Sequence, residues 1–112
     1  MKKLLLILLC LPMIGFGQER YHIDEVTSTN KKTLLLYLKK DMSLVNGVVF
    51  ETHENGQLRY ERNYKDGKED GLSTWWYQNG QLMNEVQYKY GELIRIRSKC
   101  WDPVGNKIDC YK

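Results

Sequence analysis

The chain has little of what catalytic and membrane-spanning proteins need. Its 112 residues include two histidines, His22 and His53. They are isolated, with no paired serine, cysteine or carboxylate motif, so no nucleophile with a positioned base is legible. No cofactor motif stands out. The three cysteines show neither CxxC spacing nor a nearby histidine, which leaves no zinc or redox signature. Asp66, Glu69 and Asp70 share a loop but lack the ligand spacing that calcium requires. The longest apolar run, Leu4 to Ile14, is interrupted by Cys10 and Pro12 and falls short of the roughly 20 residues that cross a bilayer. The expectation is a non-catalytic chain with no cofactor, no metal and no small-molecule substrate.

The same apolar run follows Lys2 and Lys3 and ends in Gly15-Phe16-Gly17, the small-x-small pattern read by signal peptidase. Residues 1–17 therefore read as an export signal cleaved before Gln18, which would leave the working protein periplasmic or extracellular. Cys10 as a lipid acceptor is the competing reading, but Leu9 precedes it where a small residue is expected. Cleavage leaves 95 residues. Loss of Lys2 and Lys3 reduces 17 basic residues to 15 against 14 acidic ones, a formal charge of +1. Nucleic acid is not a favoured partner for so balanced a chain, because phosphate binding rests on a concentrated basic surface.

Cys100 and Cys110 remain as an even pair in an oxidising compartment. Between them Asp102-Pro103-Val104-Gly105-Asn106 is rich in turn formers. A hairpin centred near Gly105 would set the two cysteines opposite each other, within reach of a disulfide. Reactive thiols are the alternative, without supporting spacing.

A repeat dominates what is present. Asn55-Gly56-Gln57-Leu58 returns as Asn79-Gly80-Gln81-Leu82, and Gly47, Tyr64 and Gly67 return 24 positions later as Gly71, Tyr88 and Gly91. A degenerate third unit follows, in which Gly105 answers Gly80 one residue late. A fixed period of this length signals stacked supersecondary units. Asn-Gly flanked by alternating residues is a strong short hairpin signal. A two-residue turn at Asn55-Gly56 pairs His53 with Leu58, Glu51 with Tyr60 and Val49 with Arg62. The second turn pairs Tyr77 with Leu82, Trp75 with Asn84 and Ser73 with Val86. Strand alternation then collects Val49, Leu58, Tyr60, Tyr64, Trp75, Tyr77, Leu82, Val86 and Tyr88 on a core face. Thr52, Arg59, Glu61, Asn63, Thr74, Glu85 and Gln87 fall on a wet face, with Phe50, Trp76 and Met83 as its apolar exceptions.

Gly71-Leu72-x-x-x-Trp76-Tyr77-x-Asn79-Gly80-Gln81-Leu82, followed by Tyr88-x-x-Gly91, resembles the MORN-type repeat. The variant form is that of bacterial YwqK-like proteins described as antitoxin components of toxin-antitoxin modules. The resemblance covers residues 47–94 well and 95–112 loosely. It implies a mainly β fold, an open antiparallel sheet of serial hairpins, and a binding role with no catalytic residues. The units run 47–70, 71–94 and, degenerate, 95–112, after an N-terminal extension at 18–46. Two departures stand out: an export signal is at odds with a cytoplasmic antitoxin, and His53 occupies the place of Tyr77.

In the extension, Thr33 to Leu38 is too short for periodicity to separate a strand from a helical turn; its brevity and its lead into Val48-Val49-Phe50 favour a strand. Gln18 to Asn30 is polar and expected to be poorly ordered. Two surfaces are candidate sites. Trp76, Met83 and Phe50, apolar on a polar face, suit a protein partner, a toxin if the resemblance extends to function. Arg95, Arg97 and Lys99 at strand spacing suit an anionic membrane surface or an acidic partner, with Ile94 and Ile96 buried behind them.

Overall fold

A computed structural model of the chain describes residues 18–28, 32 and 34–111; residues 1–17, read above as an export signal, lie outside the described residues. Among the described residues nine strands run in chain order: β1 (Arg20–His22), β2 (Val26–Thr27), β3 (Tyr37–Leu38), β4 (Gly47–Thr52), β5 (Leu58–Lys65), β6 (Lys68–Trp76), β7 (Leu82–Lys89), β8 (Glu92–Trp101) and β9 (Lys107–Ile108). Seven form one sheet in the order β1-β4-β5-β6-β7-β8-β9, and β2 pairs with β3 apart from it. From β5 onward each strand is antiparallel to its predecessor, so this part of the sheet is a series of hairpins. The expected mainly β, serial-hairpin architecture is the one observed.

The 24-residue period is visible in the hydrogen-bond register. Gly47 faces Tyr64 and Val49 faces Arg62 in the first unit; Gly71 faces Tyr88 and Ser73 faces Val86 in the second. Glu51–Tyr60 and Trp75–Asn84 also pair as the sequence predicts. Nearer the turns the register departs from a two-residue loop. His53 N–H donates to the Gln57 carbonyl at 2.7 Å and Gly56 N–H to the His53 carbonyl at 2.9 Å, so the loop holds three residues, 54 to 56. Gly56 alone among them takes a positive φ, 88°, as in a type I turn closed by a left-handed glycine. Thr52 consequently faces Leu58, and Trp76 faces Leu82, with a bulge beside each pair. The two-residue turns lie at the other end of the sheet, where Asp66-Gly67 and Tyr90-Gly91 both have positive φ.

Repeats are tied together at their turns by two ladders of hydrogen bonds. In the first, Asn55 Oδ1 accepts from Gln57 N–H of its own turn at 3.0 Å, and Asn55 Nδ2 donates to the Gln78 carbonyl of the next turn at 2.9 Å. Asn79 does the same, with Gln81 N–H at 2.9 Å and the Pro103 carbonyl at 3.0 Å. Tyr77 OH donates to the Trp101 carbonyl at 2.8 Å. His53 Nε2 stands 2.9 Å from the Trp76 carbonyl; a carbonyl only accepts, so that nitrogen carries the proton. At the opposite end, Asn46 Oδ1 and Asp70 Oδ1 receive the N–H groups of Asp66 and Tyr90 at 2.9 and 3.4 Å. Beside them the carbonyls of Val45 and Glu69 receive Gly67 and Gly91 N–H at 2.9 and 2.8 Å. The repeated asparagine thus serves two turns at once, which is the physical reason the motif is written twice.

The apolar core lies at one end. Val26, Leu38, Val45 and Val49 are buried together, with Tyr21, Ile23, Leu36 and Tyr64 packed around them. The extension supplies most of this cluster and lays it over the face of β4 and β5 that carries Val49 and Tyr64. Of residues 18–30, expected to be poorly ordered, 29 and 30 lie outside the described residues, and the rest instead include β1, a 3₁₀ turn (Ile23–Glu25) and β2. β1 lies parallel to β4, and Gly47 permits it: a Cβ there would stand 2.5 Å from the Glu19 carbonyl oxygen. That same carbonyl accepts from Val48 N–H at 2.8 Å. Of the Thr33 to Leu38 run, Tyr37–Leu38 is strand and Thr33 lies outside the described residues. Leu36 is bound instead across a turn, donating its N–H to the Gly67 carbonyl at 2.9 Å.

Candidate protein-contact surface of the sheet

Pairing and alternation give the sheet two faces. The front carries Val49, Tyr60, Arg62, Tyr64, Ser73, Trp75 and Tyr88; the back carries Phe50, Glu61, Thr74, Trp76 and Glu85. The front was expected to be an apolar core. It is one only beneath the extension; further along it is a polar–aromatic cluster centred on Arg62. The guanidinium sits over Tyr60 at 5.5 Å, Tyr64 at 5.7 Å and Trp75 at 6.0 Å, and it pairs with the Glu69 carboxylate. Ser73 OH, almost fully buried, donates to the same carboxylate at 2.9 Å. Tyr60 and Trp75 rings meet at 4.6 Å.

Burial works against the Arg62 charge, but the hydrogen bond to Glu69, together with that carboxylate's charge and the neighbouring phenols, raises its pKa. Burial also pushes the Tyr64 phenol up to about 12, against the pull of the neighbouring guanidinium, and raises Tyr60 and Tyr88 in the same direction. Alternation alone places Arg62 between Tyr60 and Tyr64, so this centre was legible from the sequence, but a listing of apolar positions passes over it.

On the back face the three apolar exceptions do not assemble. Phe50 is occupied by β1, with the His22 ring edge-on at 5.4 Å and the Arg20 guanidinium at 4.9 Å. Arg20 also pairs with Glu61 at 2.6 Å. Met83 is the extra residue of the bulge between Leu82 and Asn84. Its counterpart Arg59 turns to Glu51 on the front, at 3.8 Å, so the bulge breaks the alternation that would set Met83 beside Trp76. The same bulges carry Leu58 and Leu82 out of the expected core face, into register with Thr52 and Trp76 on the back.

What the bulges bring together is a different set. Trp76 faces Leu82, and Trp101, facing Lys107, holds the same register position in the third hairpin, 25 residues on. Leu58 and Trp76 line an open depression of 520 Å³ with Asn55, Gly56, Gln57 and Gly80. Leu58, Trp76, Leu82 and Trp101 are each half-buried and form an apolar row along the turn end of the back face. Trp101 escapes a reading at strict period 24 because the third unit runs one residue late. Beyond the extension, every residue of β7 except Lys89 is half-buried, the burial of a single layer with neither face covered by the described residues.

The cationic candidates are separated as well. Ile94 faces Gln87 and Lys99 faces Glu85, so the four residues 95–98 bulge opposite Val86. Across that bulge alternation reverses: Arg95 follows Leu93 to the front, whereas Lys99 lies on the back. Arg95 stacks on Tyr111 at 4.8 Å, and Ile96, expected to be buried, is 92% exposed. Cys100 and Cys110 are joined as a disulfide with Cα atoms 5.3 Å apart. Because the third loop also has three residues, Cys100 faces Ile108 rather than Cys110, and the bridge runs diagonally. Among the described residues no group of His, Cys, Asp or Glu could hold a metal ion, and no helix is long and apolar enough to cross a membrane.

Residues 45–66 and 69–90 each match the MORN repeat variant family, so the two complete hairpin units are similar to MORN-type repeats. MORN repeats are in general non-catalytic modules that bind proteins or lipids. No curated protein and no solved structure significantly matches the chain.

Proposed function

We propose that the two MORN-type repeats and their degenerate third hairpin form an exported, non-catalytic module that holds a protein partner on the back face of the sheet. The observation that carries this reading is the half-buried row Leu58, Trp76, Leu82 and Trp101, four large apolar side chains at one level of a sheet face that none of the described residues covers. Apolar rows of this kind mark partner surfaces, and tryptophan is prominent among residues that dominate binding energy. Phe50 serves the attachment of β1, and Met83 flanks the row from its bulge.

Export follows from the reading of residues 1–17 as a cleaved signal. It makes a definite statement about mass, since the protein recovered from its natural compartment begins at Gln18. The likeness to YwqK-type antitoxin components extends the proposal to a toxin held in immunity fashion; the repeat pattern is its support.

Pull-down from envelope extract with the wild type and with Trp76→Ala and Trp101→Ala tests the surface. A saturable complex weakened at least about tenfold in both variants is expected, as for central aromatic anchors; unchanged retention would remove this face as the site. The alternative, contact with anionic lipid through Arg95, Arg97 and Lys99, loses its flat cationic stripe to the bulge in β8. Cosedimentation with anionic liposomes at low salt that weakens as salt rises would restore it.

A further inference from the structure

The edge of β8 has a feature that the back-face row does not explain. Ile96 is the most exposed of the large apolar side chains described, and it stands at the crest of a bulge between two exposed arginines, Arg95 and Arg97. The bulge is braced from both flanks. Tyr111 lies under the Arg95 guanidinium at 4.8 Å, and its hydroxyl meets Ser98 Oγ at 2.8 Å. Tyr111 is in turn held next to the Cys100–Cys110 disulfide. A covalent bond, an aromatic ring and a hydroxyl pair therefore hold in place a segment whose central side chain touches water.

We infer that the Arg95-Ile96-Arg97 crest is a second protein-contact point, preformed by the Tyr111 brace, for a partner that offers an apolar socket rimmed by carboxylates. The cations supply the charge complementarity: Arg95 leans to the front of the sheet and Lys99 to the back, so they straddle the edge. A cleft that grips the edge meets both sides, whereas a flat membrane meets one. A single isoleucine is also far less apolar surface than the one or two acyl chains that anchor a protein to lipid. Pairing with a second copy is disfavoured, because an antiparallel match centred on Ile96 sets Arg95 against Arg97 of the other copy, and like charges directly opposite repel. The same cations and bulge keep the open edge from indiscriminate strand pairing, leaving the crest for a specific partner.

The test is photocrosslinking of the full chain in the cells that make it, with a diazirine-bearing aliphatic residue at position 96 and, as control, at exposed position 104. A discrete protein adduct is expected at 96 and not at 104. The captured protein, purified, should bind wild type at least about tenfold more tightly than Ile96→Asp or Arg97→Glu, with the contact mapping to an acidic surface. Tyr111→Ala should weaken binding with the disulfide intact. Should that variant misfold, Ile96→Asp, altered only at an exposed side chain, still decides the matter. Adducts to lipid alone, no adduct at 96, equal adducts at both positions, or a partner indifferent to Ile96→Asp would each overturn the inference. Because position 96 lies outside the back-face row, Trp76→Ala failing to matter would sink the proposed function without touching this result, and the converse also holds.

Discussion

The end of the sheet under the extension and the end built from the second and third hairpins are stabilised by different means. The first buries Val26, Leu38, Val45 and Val49 in a small dry cluster. The second has almost no buried apolar side chain, and is held by backbone pairing, by asparagine and tyrosine bonds from turn to turn, and by one disulfide. A single layer cannot enclose its own side chains, so where no extension covers it, cohesion must come from polar and covalent ties. This difference explains why the repeat carries hydrogen-bonding residues at its turns and why a partner-sized surface is left open beyond the extension.

Substitutions should separate the two ends. Leu38→Ala, inside the dry cluster, is expected to cost about 2 to 5 kcal/mol. A urea midpoint shift as small as that of Leu82→Ala would break the contrast. Cys110→Ser is expected to cost about 2 to 3 kcal/mol, from the short loop it opens, with the loss confined to the third hairpin. Faster amide exchange throughout β4 as well would mean that the two ends are one cooperative unit. Asn79→Ala removes one bond to its own turn and one to the next, at about 0.5 to 1.5 kcal/mol each. Val104→Ala, at the equivalent but non-bonding position in the third turn, should change the melting temperature hardly at all.

A further effect is one of pH. Burial holds the Tyr64 phenol protonated, with its pKa raised from 10.0 to about 12. The fold therefore binds that proton more tightly than the unfolded chain does. Its contribution is complete below the ordinary value and is lost as the pH rises through about 12. Denaturation midpoints should fall across that window, and Tyr64→Phe should flatten part of the fall. A slope unchanged in the variant would place the cause elsewhere.

Much of this was legible in the sequence. The period of 24 and the Asn-Gly-Gln-Leu motif gave the hairpins, their order and the pairing Val49–Arg62 and Ser73–Val86. The departures begin at the turns. Asn55 uses its side chain, rather than a positive φ, to close the loop, and the loop gains a residue. The bulges that follow move Leu58 and Leu82 to the back and isolate Met83. The bulge in β8 has a similar effect on the cations and exposes Ile96. Alternation describes the sheet wherever the strands are regular and fails wherever a turn or bulge changes the count. The order of residues 18–28 was hidden for another reason: a polar stretch acquires structure here by lying along β4, a tertiary contact that no local pattern records.

The central claim is that the second and third hairpins form one uncovered layer while the core is confined to the extension. Broadening of methyl resonances by a soluble paramagnetic chelate tests it most directly. The account predicts strong broadening of Leu58, Leu82 and Val86 methyls, from both faces of the sheet, and sparing of Val45 and Val49. If Leu82 and Val86 were as protected as Val49, a second layer or a bound copy would cover the sheet, and the open surface proposed for a partner would not exist.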